Sequence, residues 1–284
     1  MRVPLPGGGP TSGEWADVRL VAGLPVLLAH PEPWLAQLED GEVEAPLEDL
    51  PFAGLAALAR YLPGIAEPEA PLSRALARAL SFAPAGAGLG VDVGCSVGRD
   101  VRALRAVTSH VIAFDTYLPV LRAAAAQLAG EPVPWPARVE GHRFRMDDDR
   151  AFPACDGVTL VVGDAMDPPL LPEVADVVIA MNVLDNVPRP RLVLSQIDAI
   201  TRPGGLAVIA SPFAWHDGIT PPEAQLGGAP IEGLPDEGSP AMLGDLLGSG
   251  WDIVHHEDVP WVLRDHARAT FHYDVHVVAA RKRA

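Results

Sequence analysis

Five short apolar runs, most followed by a stretch of helical periodicity, set the rhythm of this chain. Residues 89–93, 110–114, 158–162, 176–181 and 206–210 are dominated by Val, Ile, Leu and Ala at successive positions. Runs of that length without alternation predict strands covered on both faces, as in a mostly parallel sheet. Residues 97–108, 117–129 and 190–201 repeat their apolar positions at helical spacing. The segment Leu118–Ala129 is rich in alanine and leucine and is closed by Gly130. Strand and helix in alternation predict an α/β fold with a doubly wound, Rossmann-like sheet.

Less regular segments surround this frame. Helical patterns at 50–62, bounded by Pro51 and by Pro63-Gly64, and at 72–82, with leucine at 72, 76 and 80, predict an N-terminal helical cover over the start of the sheet or the mouth of a site. The Pro- and charge-rich residues 131–156 read as a surface insertion, and 212–236 as loop. A short helix is expected at 239–248, with a C-terminal antiparallel strand pair at 251–257 and 273–280. Residues 1–13, rich in Gly and Pro, read as a mobile terminus. The chain divides on this reading into a helical cap segment, 1–83, and a sheet domain, 84–284, and it carries no internal repeat.

The first strand runs through Asp92-Val93-Gly94-Cys95-Ser96-Val97-Gly98 directly into a helix. Glycines in such a turn allow unusual dihedrals and let a ligand lie against backbone N–H groups at the positive end of the helix. A dinucleotide fingerprint has Gly-x-Gly-x-x-Gly, and here Ser96 stands at the second glycine. A nicotinamide oxidoreductase is therefore the least favoured reading. Asp-x-Gly-x-x-x-Gly instead resembles motif I of the class I S-adenosylmethionine-dependent methyltransferases, whose turn holds the amino-acid part of the cofactor.

Three later signatures extend that resemblance. Asp115-Thr116 ends the second strand, where a carboxylate can accept both ribose hydroxyls. Val162-Gly163-Asp164-Ala165 is similar to the family's adenine-reading element, and Pro203-Gly204-Gly205 precedes the fifth strand. The resemblance implies a class I methyltransferase domain over 84–284 in which Asp92, Gly94, Cys95, Gly98, Asp115, Thr116, Asp164, Ala165 and Asn182 bind S-adenosylmethionine, with S-adenosylhomocysteine as product. Read alone, Asp115 is equally a strand-end or helix-capping carboxylate, and Asp164 a turn former.

The fourth strand ends in Asn182-Val183-Leu184-Asp185-Asn186, which resembles the Asn-Leu-Leu/Ile-Asp-Arg motif of histidine N-methyltransferases. Ser211-Pro212-Phe213-Ala214-Trp215, Leu226-Gly227-Gly228 and Val259-Pro260-Trp261-Val262-Leu263-Arg264-Asp265-His266-Ala267-Arg268 are similar to the methyltransferase domain of the ovothiol-pathway enzymes in particular. The likeness runs from about residue 88 to the C-terminus, with Asn186 in place of the family's arginine. It implies catalysis by Asp185 and Asn182 on an imidazole nitrogen of histidine, thiohistidine or a histidine-containing peptide. Phe213, Trp215, Trp261, Arg264 and Tyr273 would form the substrate pocket. By themselves, Asn182 and Asp185 read equally as a helix cap, the aromatic residues as core, and Arg264 as an ion-pair partner.

Composition narrows the partners. Of 284 residues, 49% are hydrophobic, enough for a sizeable core, and 21 basic against 37 acidic residues give a net charge of −16. That balance offers no broad footprint for nucleic acid, so a small molecule or peptide is the expected partner. Cys95 and Cys155 have no metal-ligand spacing and make no disulfide framework, which fits a cytoplasmic protein. His272, Asp274 and His276 alternate along a strand and predict no metal site. The apolar residues 20–29 are too few for a membrane span, contain Pro25 and follow Glu14 and Asp17, so no membrane partner is expected. Two other readings stay open: a secondary-metabolite N- or O-methyltransferase with another acceptor, and a non-catalytic module that binds the cofactor. The sequence carries no signal for oligomeric state.

Overall fold

The computed structural model describes residues 18–227, 238–248 and 250–284. The terminal coil expected at 1–13, Gly228 and part of the loop expected at 212–236 lie outside the described residues. Short elements come first: β1 (Leu20–Val21), β2 (Leu24–Pro25), α1 (Pro31–Leu35), α2 (Asp40–Val43), α3 (Phe52–Tyr61) and α4 (Pro71–Leu80). Next come β3 (Leu89–Val93), α5 (Val101–Val107), β4 (His110–Asp115), α6 (Leu118–Ala129), β5 (Val133–Glu140), β6 (Arg143–Arg150) and β7 (Val158–Val162). The chain finishes with β8 (Ala175–Met181), α7 (Pro190–Ile200), β9 (Thr201–Ser211), α8 (Ser239–Gly248), β10 (Trp251–His266) and β11 (Ala269–Lys282).

Seven strands form one mixed sheet in the order β10-β11-β9-β8-β3-β4-β7. Strands β7, β4, β3, β8 and β9 are parallel, and β11 joins β9 antiparallel. The chain builds outward from β3 through β4 to β7, then returns to the other side of β3 with β8 and β9. That reversal puts the topological switch point between β3 and β8, and open α/β sheets bind ligands at the carboxyl ends of the strands there.

The central strands β3 and β8 are buried along their whole length because helices cover both faces. Leu72, Leu76, Leu104 and Leu121 of α4, α5 and α6 pack on one face, and Val193, Ile197, Leu243 and Leu247 of α7 and α8 on the other. Helix α4 shares its core with Val277 and Ala279 of β11, so this part of the helical cover is packed into the sheet. Gly130 takes φ +85 and closes α6 in the left-handed conformation that favours glycine.

Two expectations need correction. Residues 131–156 are largely the β5–β6 hairpin, with 133–136 buried. Val133 and Trp135 join Leu58, Leu62, Val97 and Val120 in a third core. The charges that suggested a surface loop are concentrated on β6, which is mostly exposed. The C-terminal strands are also much longer than 251–257 and 273–280. They form one hairpin that runs on beyond the part of β11 paired with β9, as far as His266 and Ala269. At its tip Ala267 N–H donates to the Arg138 carbonyl oxygen (3.0 Å), which joins the two hairpins.

Candidate active site

The turn after β3 is pinned to β4. Gly94 and Cys95 N–H donate to the Phe114 carbonyl oxygen (2.9 and 3.0 Å), and Ser96 N–H donates to Asp115 Oδ2 (2.9 Å). Gly94, at φ +70, is required sterically: a Cβ there would lie 2.7 Å from Val183 Cγ2, so its absence lets the segment after β8 close against the turn. Gly98, at φ +74, does different work. Its absent Cβ would meet Gln127 Nε2 at 2.9 Å, and that buried amide donates to the Val97 carbonyl oxygen (3.0 Å). Gly98 therefore seats α6 behind the turn.

At the carboxyl edge of the sheet is a cavity of about 420 Å³. Asp92, Gly94, Cys95, Asp115, Thr116, Asp164, Ala165, Asn182 and Asp185 line it, with Trp261 and Tyr273 on the hairpin side. The fold thus brings these sequence-selected residues to one space, whereas Gly98, Phe213, Trp215 and Arg264 lie outside its lining. Phe213 and Trp215 pack against the core on the α7 and α8 face, and Trp215 Nε1 donates to Ser239 Oγ (3.1 Å). Arg264 is exposed, because its neighbour Leu263 takes the inward position on β10.

The electrostatics divide the cavity into two parts. On the β3 side, the Asp92 carboxylate is 2% exposed, and its Oδ2 has no hydrogen-bond partner. Burial, followed by repulsion from Asp100, pushes its pKa well above the usual carboxylate range. Such a group fits a cationic amine. Asp115 Oδ1 accepts Tyr117 N–H (2.9 Å), while burial raises its pKa and the backbone donors draw it back. The carboxylate keeps lone pairs for a diol. The exposed Thr116 gives its carbonyl oxygen to Trp34 Nε1–H of α1 (2.7 Å), and Asp164 Oδ1 accepts Met166 N–H (2.8 Å) in the expected turn. Burial also raises the Cys95 thiol well above its ordinary pKa.

On the β8 side, Asn182 takes φ +59 just after the strand, and its buried Oδ1 has no partner. Asp185, 5% exposed, accepts a hydrogen bond on Oδ1 from Ser211 Oγ (2.9 Å), which in turn accepts Phe213 N–H (2.9 Å). Burial raises the Asp185 pKa, and the Ser211 hydrogen bond offsets part of the rise. Of the helix-cap alternative, Asn186 Nδ2–H donates to the Asn182 carbonyl oxygen (3.1 Å), but neither Asn182 nor Asp185 caps α7, whose N-terminus has no side-chain cap. Trp261 and Tyr273 face each other across β10 and β11 and stack at 5.3 Å between centroids.

Sequence reasoning missed Arg60, Tyr61, Tyr117 and Ser211. Ser211 stands at a strand end beside residues that had been singled out. Arg60 and Tyr61 carried no signal, because only the fold brings α3 to the cavity. His276 Nδ1 pairs with Asp258 Oδ1 (2.6 Å), His272 is exposed, and among the described residues no group of three His, Cys, Asp or Glu could hold a metal ion. None of the described helices is long and apolar enough to cross a membrane.

Residues 91–209, which span the switch point and its binding loops, match the family model described as a methyltransferase domain. No curated protein sequence matches the chain. Among solved structures, a chain from the complex of the Haloferax volcanii Trm112 methyltransferase activator is 16% identical over 82% of this chain and 98% of its own, with a TM-score of 0.51. A Bacillus halodurans protein is 16% identical over 74% and 99%, with a TM-score of 0.50. The N-methyltransferase NodS from Bradyrhizobium japonicum, in complex with S-adenosylhomocysteine, is 13% identical over 76% and 90%, with a TM-score of 0.49. The unpartnered Asp92 oxygen, the Asp115 carboxylate and the Cβ-free approach at Gly94 suit an amino acid joined to a nucleoside, and with the match over residues 91–209 they mark a methyltransferase domain that takes S-adenosylmethionine as its cofactor.

Proposed function

We propose that the enzyme methylates an imidazole nitrogen of histidine, of a histidine derivative such as thiohistidine, or of a histidine-containing peptide. The observation that carries this reading is Asp185: a buried carboxylate in the cavity wall, held by Ser211, beside the unpartnered Asn182 Oδ1 and within one lining with the Trp261–Tyr273 stack. In this reading Asp92, Gly94, Cys95, Asp115, Thr116, Asp164 and Ala165 hold the cofactor, with Gly98 supporting the turn from behind.

Neutral imidazole has one N–H and one lone-pair nitrogen, and only the second can attack an electrophile. Bound S-adenosylmethionine supplies a sulfonium methyl, whose bond to sulfur breaks as the N–CH3 bond forms, the electron pair returning to sulfur. Asp185 accepts the imidazole N–H, which selects the tautomer and stabilises the positive charge that develops on the ring. The Asn182 side chain fixes the ring plane, and the stacked aromatic wall restricts approach to the in-line direction. The N–H proton of the methylated imidazolium then leaves through Asp185, whose raised pKa suits a temporary proton acceptor.

Mass spectrometry of the protein with S-adenosylmethionine and histidine, thiohistidine, α-N-methylated histidines or a histidine-containing peptide tests the reading. One methyl gained on an imidazole, and lost with Asp185→Asn, supports it. Tight cofactor binding without methylation of any member removes it.

A further inference from the structure

A second and larger cavity, about 950 Å³, adjoins the first, and Arg60, Tyr61, Arg99, Trp261 and Leu263 line both. Its walls come from α3, the segment leading into α4, the β5–β6 hairpin and the tip of the β10–β11 hairpin. In a chain of net charge −16, five arginines line this one space: Arg60, Arg99, Arg138, Arg145 and Arg264. Their partners show which remain available. Arg145 is matched by Asp147, and Arg99 by Asp100. Arg60 and Arg138 share the single carboxylate of Asp265, and Arg264 has no ion-pair partner among the described residues. Glu67 and Glu69 also line the cavity and, like Arg264, are exposed.

The Arg60, Arg138 and Asp265 group therefore carries one uncompensated positive charge, and Arg264 a second. The Arg60 and Arg138 guanidinium groups are also held in place. Arg138 Nε–H donates to the Gly141 carbonyl oxygen (2.8 Å), its Nη1 reaches both Asp265 oxygens (3.2 Å each), and its guanidinium lies 5.1 Å from the Phe52 ring centroid. Arg60 Nη2 donates to Asp265, while the buried Arg60 Nε has no acceptor. Ordered, partly desolvated guanidinium groups bind carboxylates more strongly than solvated ones, since little further side-chain entropy is lost.

We propose that the acceptor carries a carboxylate which Arg60, with Arg138 and Arg264, receives in this second cavity while its methyl-accepting nitrogen lies at Asp185. The proposal rests on the imidazole reading for the identity of the nitrogen, and on the arginine group for the anion. Asp265 acts as the positioning residue that ties α3 to both hairpins.

The test is calorimetry on enzyme saturated with S-adenosylhomocysteine, using three ligands: acetyl-histidyl-glycyl-glycine as its free acid, the same peptide as its C-terminal amide, and glutarate, which has no imidazole. The acid should bind about tenfold tighter than the amide, and Arg60→Gln should erase the preference. Should Arg60→Gln fail to fold, Arg60→Lys keeps a cation for Asp265 but loses Nε–H, and is read for the same ratio. Equal binding of acid and amide, or a preference that survives both variants, overturns the proposal. If neither peptide binds but glutarate binds in an Arg60-dependent way, the anion site stands and the imidazole reading falls. If none of the three binds, the anion site is overturned.

Discussion

The two sides of the site are built in opposite ways. The proposed cofactor side takes Asp92, Gly94, Asp115 and Asp164 from the ends of the parallel strands β3, β4 and β7 and the turns that follow them. The proposed acceptor side gathers Arg60 and Tyr61 from α3, Asn182 and Asp185 from beyond β8, and Trp261 and Tyr273 from the terminal hairpin. One ion pair on that side, Arg60 with Asp265, bridges 205 positions. Local geometry fixes the first side once the sheet forms. The second depends on the docking of separate elements, and so it can change its specificity without disturbing cofactor binding.

The largest expected effect separates the two sides. Asp185→Asn should lower kcat by about 10²–10⁴-fold, the usual contribution of a positioned proton acceptor, while calorimetry finds the S-adenosylmethionine Kd little changed. A parallel loss of affinity would show that the sides are not independent. Gly94→Ala probes the seam between them. It places a Cβ 2.7 Å from Val183 Cγ2 at a φ of +70, so it should cost about 1–3 kcal/mol. Cofactor Kd and kcat should both worsen, and a change in kcat alone would break this account.

Asp92→Asn should affect only the cofactor side, with opposite effects on binding and stability. Removing a buried charge without a partner should raise the Tm of the ligand-free protein, by about 1–2 kcal/mol of stability, and weaken S-adenosylmethionine binding. The raised Asp92 pKa fixes the sign with pH. The folded state binds its proton more readily than the unfolded state, so wild-type stability gains as pH falls through the raised value. The variant's advantage should therefore shrink on acidification, which thermal melts across pH would show.

Ser211→Ala is the mildest change and belongs to the acceptor side. Losing the 2.9 Å hydrogen bond leaves burial of Asp185 less opposed, so its pKa should rise further. The acid limb of the kcat profile should move to higher pH, with kcat reduced about threefold to tenfold at its plateau. An unchanged limb would mean that Asp185 does not titrate in turnover.

How far each part could be read before folding follows the same division. The strand at 89–93 lies where the apolar run predicts it, because burial on both faces keeps it mostly apolar, and the edge strand at 158–162 does so through its run of Val and Leu. The 131–156 segment was misread because its hairpin buries only one end of β5 and exposes β6, so proline and charge hid the pairing. The terminal hairpin was read short because its outer half mixes polar with apolar residues.

By itself the sequence determined the parallel sheet, the order of its binding loops and the carboxylates that follow each strand, since all of these depend on neighbours along the chain. Only the tertiary structure decided that Gly98 packs against Gln127, that Ser211 holds Asp185, and that Phe213 and Trp215 face the core. It also decided that Arg60 and Arg138 share Asp265 beside the cavity. The physical reason is range: a turn or a strand end is set by a few consecutive dihedrals, whereas a shared carboxylate or an aromatic wall exists only after distant segments have excluded water between them.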